Sequence, residues 1–583
     1  MIKRILKILA LYALLFTSLI SLAANTAPPA KTRPIHITIQ GLQGDPLKNV
    51  QQKLNEDENG LNDNYTAQSM GRFYRQLREN IRSALQPYGY FQARVHTSMT
   101  YSQNQWQIFI SVDPGQQLLF THIDLQITGP GADDPIYQKL AANLPTKTGE
   151  PFNGDKYNRA REDLFDIAAN RGYFDNKMLK NQLIVNLNNY TSTVILHFYT
   201  GPRYFFGATT FNKTPFKDSF LHRFLNYKDN DPYSARVLDS SREGFANSAY
   251  FEQVIATPKT SDIKNYRVPV EFTLIPQAKK QYTLGAGYGT DTGVRGLAAV
   301  TYNWINSYGH RFDALVRASA INNQISANYY IPGRHPAQDQ YIISAGAAHD
   351  DFTTGNSNSL TFGGSYQTIW NGWQTTASLS YLNEQSQFPT LPGSPIVNAD
   401  LVYPNITIDK RVANDQLNPT KGYYVLLNLA GANSDVLSKI SFEQARLTLK
   451  VLYTFFDRLR FIVRGTGGVT DINEIQNLPL TLQFYAGGTE SVRGFVFNQF
   501  GPGRYLFTST FETQARVYGN WYLVGFVDAG NATNNFRWDN LNVGVGPGIA
   551  WASPVGLLEL TVGNAITSPG KPWVIQFSMG PVL

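Results

Sequence analysis

One arginine stands where it can do chemistry. Arg493 lies in Gly487-Gly488-Thr489-Glu490-Ser491-Val492-Arg493-Gly494-Phe495, a glycine-rich stretch within a half of the chain that otherwise alternates apolar and polar residues. A guanidinium is always charged and offers five donors in a planar fork, so inside a barrel it can tie a long loop to two wall carboxylates at once. Such a pairing specifies where the loop sits more than it adds net stability, because desolvation offsets most of the attraction.

The patterns that enzymes need are missing. The eight histidines, at 36, 96, 122, 197, 222, 310, 335 and 349, are scattered, and none falls in a His-Glu-x-x-His pattern. No Gly-x-Ser-x-Gly elbow occurs. With Cys 0 the chain has no disulfide framework, thiolate metal site or thiol nucleophile. The clusters Gly285-Ala286-Gly287-Tyr288-Gly289 and Gly544-Val545-Gly546-Pro547-Gly548 lack a following helix whose N-terminus would hold a phosphate. They read as thin, twist-permitting strand or turn positions. Neither an enzymatic activity nor a cofactor is expected.

The elements that must position Arg493 follow from the rest of the sequence. Lys3 and Arg4 precede an apolar run from Ile8 to Leu22 and the small-residue stretch Ser21-Leu22-Ala23-Ala24, the three-part form of a secretory signal peptide spanning 1–24. The run is shorter than the ~20 apolar residues of a spanning helix. Beyond residue 24 no apolar run approaches that length, so a place in a membrane requires a closed barrel, which satisfies its own backbone hydrogen bonds. Composition agrees. Tyr 33, Phe 35, Gly 47 and only 16% charged residues suit short strands, aromatic girdles and tight turns, whereas soluble domains average about 25% charged. A net charge of +7 fits a mildly basic surface near anionic lipid heads, and the export signal argues against a nucleic-acid partner.

Residues before 276 repeat. Gly89-Tyr90-Phe91, Gly172-Tyr173-Phe174 and Ala249-Tyr250-Phe251 recur at near-equal intervals. Alternating Ile35, Ile37 and Ile39 open one unit, and Ile123, Leu125 and Ile127 the next. Before each aromatic motif comes a helical face: Phe73, Leu77, Ile81 and Leu85, then Tyr157, Ala160, Leu164 and Ala168. Two strands close each unit. The aromatic pair is expected to cap its helix and pack in its own core.

After residue 277 short strands alternate with turns. Asn371-Gly372 is suited to a two-residue type I′ hairpin and would place Trp370 beside Trp373 on one face, as in an aromatic girdle. Strands are expected near Tyr505–Val517, Trp521–Gly530, Leu541–Trp551, Gly556–Gly563 and Trp573–Met579, making the Arg493 segment the third long connection from the end. The stretch from 277 accommodates about 16 strands.

These features resemble one family. Val492-Arg493-Gly494-Phe495 is similar to the signature of the outer-membrane assembly superfamily, which includes BamA, TamA and the two-partner secretion transporters. There a long loop folds back into the barrel and its arginine pairs with carboxylates of the inner wall. The resemblance implies that Glu512 and Asp528 are those carboxylates. They share a face only if the turn between their strands has an odd number of residues, such as Tyr518-Gly519-Asn520 with Val517 opposite Trp521, or if a bulge compensates a two-residue turn. Asn418-Pro419-Thr420-Lys421-Gly422-Tyr423, Gly287-Tyr288-Gly289-Thr290-Asp291-Thr292-Gly293 and Ser553-Pro554-Val555-Gly556 also look like family segments. The last aromatic, Phe577, precedes Gly580-Pro581-Val582-Leu583, a departure from barrels that end on an aromatic residue.

The repeats resemble POTRA domains, periplasmic β-α-α-β-β modules, assigned here to 33–115, 118–202 and 204–276, with the outer-membrane β-barrel at 277–583. The fold class is thus α+β repeats followed by an all-β barrel of about 16 antiparallel strands. Three repeats before one barrel are most similar to the translocation and assembly module type, since BamA-type chains carry more repeats and two-partner transporters fewer. The resemblance implies that unfolded outer-membrane proteins, autotransporters among them, are inserted or secreted without covalent chemistry, amid outer-membrane lipid and lipopolysaccharide, with a TamB-like inner-membrane-anchored partner docking on the POTRA sheets. A BamA-like insertase or a two-partner transporter is the alternative, and a passive pore has no use for three soluble repeats. The first strand, near Gln281 to Gly289, must pair with the last, and a seam containing Gly285, Gly287, Gly289 and a facing Gln576 is expected to be weakly held, so that client strands add to an opened edge.

Overall fold

The computed structural model describes residues 35–61, 65–102, 105–388, 396–415, 418–554 and 556–580. The expected leader, at 1–24, lies outside them. Three α/β modules are followed by a 16-stranded antiparallel sheet curled into a barrel. Among the described residues no helix is long and apolar enough to cross a membrane.

Each module has a three-stranded sheet in which the last strand is central and runs parallel to the first. In the first module the strand Ile35–Gln40 precedes helices Gly44–Asn59 and Ala67–Leu85 and strands Arg94–Ser102 and Gln105–Asp113. Thr66 caps the second helix by accepting from the Ser69 amide. Its face of Phe73, Leu77, Ile81 and Leu85 is buried against Ile108 and Ile110. In the second module Ala160, Leu164 and Ala168 are likewise buried, with Tyr157 packed at the margin.

The repeated aromatic motif does more than fill a core. Gly172, at φ +73°, caps the helix Gly154–Arg171, and its left-handed conformation favours glycine. Tyr173 packs inside its own module, but the following aromatic reaches the next one. Phe91 meets Phe152 of the second module at 6.1 Å, and Phe174 meets Tyr204 and Tyr233 of the third at 5.3 and 5.1 Å. In the third copy Tyr250 donates to the Gly309 carbonyl, in the connection 303–310 between the second and third barrel strands, at 2.6 Å. Arg223 of the same module donates to the Pro332 carbonyl, at the end of the strand Asn322–Pro332, at 3.0 Å. In each copy one aromatic of the motif reaches the element that follows: Phe91, Phe174 and, in the third, Tyr250.

The barrel runs from Lys280–Gly289 to Trp573–Gly580, each strand hydrogen-bonded to the next in chain order, with the long connection between Leu459–Asp471 and Tyr505–Tyr518 bridged by direct pairing of those strands. Asn371 and Gly372, at φ +50° and +75°, turn a tight hairpin with Trp370 opposite Trp373. The connections 303–310 and 333–338 lie at the end that carries the modules.

Candidate functional site

Residues 472–504, between two neighbouring strands, fold into the barrel instead of away from it. A two-stranded pair, Phe484–Ala486 with Phe500–Gly503, holds the base of this loop. Glu384, buried on the strand Trp373–Gln387 of the wall, accepts from the Leu480 amide at 2.6 Å and from the Thr481 hydroxyl. Thr353 donates to the Asn498 carbonyl at 2.8 Å. On another side, Asp291 of the first hairpin accepts from both the amide and hydroxyl of Thr489 at 2.7 Å. The loop is thus fastened around the circumference of the lumen.

At its tip the structure brings Arg493 to both carboxylates inferred from the resemblance. The guanidinium donates to Asp528 through Nε at 2.8 Å and Nη2 at 3.1 Å, and through Nη1 to Glu512 at 2.5 Å. The Arg493 amide donates to the same Asp528 carboxylate at 2.9 Å, which fixes main chain and side chain together. Sequence reasoning missed a third carboxylate, Glu559, 2.8 Å from Nη1. It also missed Phe526, whose ring lies 3.7 Å under the guanidinium carbon. Val492 and Phe495, flanking the arginine, are buried with Ala565.

Glu512 and Asp528 share the lumen face because a bulge corrects the strand register. Thr510 is opposite Asp528 and Glu512 opposite Phe526, but at the turn Tyr518 is opposite Trp521 across Gly519-Asn520. Val517 is the extra residue. The turn therefore has two residues and a compensating bulge, not the three-residue turn with Val517 opposite Trp521. Inserting one residue in one strand flips its parity, and here it returns both carboxylates to the lumen.

The glycines around the tip are sites of close approach. A Cβ on Gly544 would lie 1.7 Å from the Arg493 carbonyl oxygen, and one on Gly563 2.5 Å from the Gly494 nitrogen. Gly494 itself is at φ +91°. Gly544, read from sequence as a twist-permitting position, is where the wall is thinned to seat the loop.

Among the described residues the barrel does not close by a backbone ladder. Expected pairing of the first and last strands is replaced by a few contacts: the Phe577 amide donates to the Thr290 hydroxyl at 3.2 Å, the Thr290 amide approaches the Phe577 carbonyl at 3.5 Å, and Arg295 donates to the Met579 carbonyl at 3.1 Å. Gly285, Gly287 and Gly289 lie on the first strand as expected, but Gln576 does not face Gly287. With Phe577 beside Thr290, the part of the last strand level with Gly287 lies near Met579. Gln576 turns inward instead, accepting from the Gly494 amide at 2.8 Å and donating to the Phe495 carbonyl at 3.2 Å. The last strand is therefore held by the loop as well as by its neighbour. Strand parity could have placed Gln576 and Glu559 in the lumen, but not shown that one loop touches both.

Comparison with known proteins agrees with this architecture. Residues 301–581 match the Omp85 superfamily domain, residues 36–114 the POTRA domain TamA domain 1, and residues 137–200 a POTRA pattern described as surface antigen variable number repeat. Among solved structures, BamA from Haemophilus ducreyi lacking POTRA domains 1–3 superposes with a TM-score of 0.64 at 14% identity, covering 79% of this chain and 99% of that one. CdiB from Acinetobacter baumannii and from Escherichia coli align at 14% and 12% identity over 92% of this chain and 99% of theirs, each with a TM-score of 0.48. The 16-stranded barrel of this chain is thus similar over residues 301–581 to the Omp85 superfamily domain, and the first of the modules that precede it is similar to the TamA-type POTRA domain.

Proposed function

We propose that this protein is the outer-membrane subunit of a translocation and assembly module, assisting the insertion or secretion of outer-membrane proteins such as autotransporters. The observation that carries the reading is the unclosed seam beside a lumen fastened across by the loop. A client cannot pass freely through a lumen crossed by residues 472–504, whereas two strand edges with unmet backbone groups lie next to each other in the wall. An unpaired edge templates an added strand, and neighbouring lipid offers no competing hydrogen bonds. The free edges of the POTRA sheets, such as Lys177–Asn186 in the second module, offer the same chemistry to a client or to a TamB-like partner. The TamA-type first module supports that partner, and catalysis has no part in the scheme.

The test is to lock the seam. Cysteines at Tyr288 and Met579, in a chain with no native cysteine, should form a disulfide that blocks assembly of an autotransporter client in reconstituted vesicles. Reductant should restore it. Undiminished assembly with the seam crosslinked would remove lateral templating. A large steady conductance from the unmodified protein would favour a pore.

A further inference from the structure

Arg295 reaches across the first strand to the last. It lies on the second strand, Gly293–Tyr302, with Gly287 as its Cα partner on the first. Its guanidinium donates to the Met579 carbonyl at 3.1 Å. The path runs over Gly287, where an added Cβ would meet Nε at 3.0 Å and Cγ at 3.4 Å. Two residues away, a Cβ on Gly285 would meet only the Leu297 Cβ, at 3.7 Å, an ordinary contact. The two glycines are therefore not equivalent: one merely lacks a side chain, and the other leaves the trough in which Arg295 lies.

We propose that Arg295 is a positioning residue of the seam, a displaceable side-chain bolt that caps an edge carbonyl where a backbone ladder would otherwise close the barrel, and that Gly287 is glycine to let it pass. A guanidinium suits this task. It is charged throughout the physiological range and its fork spans a strand, so its hydrogen bond to a carbonyl is stronger than a neutral one. It also leaves one acceptor of the last strand engaged until a competing donor arrives. An incoming client strand supplies amide donors of its own, and exchange of Arg295 for them makes opening reversible. This inference deepens the proposed function and rests on it for the nature of the client.

The test separates the two by measuring the seam without any client. Oxidative crosslinking of cysteines at Tyr288 and Met579 reports how often the edges meet, and both positions leave the Arg295 guanidinium and the Met579 carbonyl in place. In Arg295→Ala the crosslinking rate should fall about tenfold or more, the equilibrium weight of one charge-assisted hydrogen bond. Arg295→Lys, which keeps a charged donor, should recover part of the rate, and the shorter, neutral Arg295→Gln should not. Gly287→Ala should reproduce the loss while Gly285→Ala leaves the rate unchanged. Heat-modifiable mobility on gels verifies that each barrel is folded. Should Arg295→Ala fail to fold, the glycine pair decides. An unchanged rate in Arg295→Ala, or equal effects of the two glycine substitutions, overturns the bolt. A slowed seam with unaltered client assembly keeps the bolt and overturns the lateral route instead.

Discussion

Replacing Arg493 tests the loop anchor most directly. Its side chain makes four hydrogen bonds to three carboxylates, with side-chain exposures of 5% for the arginine and 6%, 0% and 11% for Glu512, Asp528 and Glu559. Removing one member of a buried ion pair costs about 3–5 kcal/mol, because the remaining charge stays desolvated. In Arg493→Ala three carboxylates are left facing one another, so the anchored state should lose at least that much, a factor of roughly 10² to 10³ or more in its population. Arg493→Lys keeps the charge but not the planar fork, and should fall between. Glu490→Ala is the control. Glu490 contacts Arg464, but its side chain is 79% exposed, and exposed pairs contribute only ~0–1 kcal/mol. Limited proteolysis of residues 484–503 reads the released loop, since cleavage follows the population of the open form when reclosing is fast. The barrel, with its strand ladders intact, should still migrate as folded, and client assembly should fail. Equal protection of the loop in Arg493→Ala and the parent, or full client assembly by the variant, would refute the anchor.

Gly544→Ala should release the loop without touching a charge, since its Cβ has no room beside the Arg493 carbonyl, whereas Gly467→Ala, with nothing within 4 Å of the added atom, should be silent in the same proteolysis assay. The second POTRA module should loosen in acid. Burial pushes the Asp134 carboxyl up, but hydrogen bonds from Arg171, the Ile136 amide and Tyr173 outweigh it and hold the group below its usual range. The stabilisation is therefore present above the ordinary carboxylate pKa and is lost as pH falls through the depressed value. Because Arg203 of the link to the third module joins the same carboxylate at 3.2 Å, Asp134→Asn should show at neutral pH the widened distance distribution between spin labels on modules two and three that the parent shows only in acid.

How much of this was legible in the sequence depended on the range of the forces involved. Period-two alternation, the Asn371-Gly372 turn and the helical faces ending in Leu85 and Ala168 are set by neighbours along the chain, so module architecture, strand sites and the loop's place among the connections were readable before folding. The inward position of Arg493 was accessible only through the resemblance, because nothing local distinguishes it from a solvated loop arginine. What the tertiary structure alone decided are contacts between segments far apart in sequence. A register slip at Val517 sets which way two carboxylates face. The thinning of the wall at Gly544 and Gly563 depends on the path of a loop that begins many residues earlier. Gln576 could be assigned to a strand by pattern, but whether it faced the seam or the loop followed from where the last strand stopped along the first. That offset is fixed by barrel closure, a global condition on all the strands together, and no stretch of sequence encodes it alone.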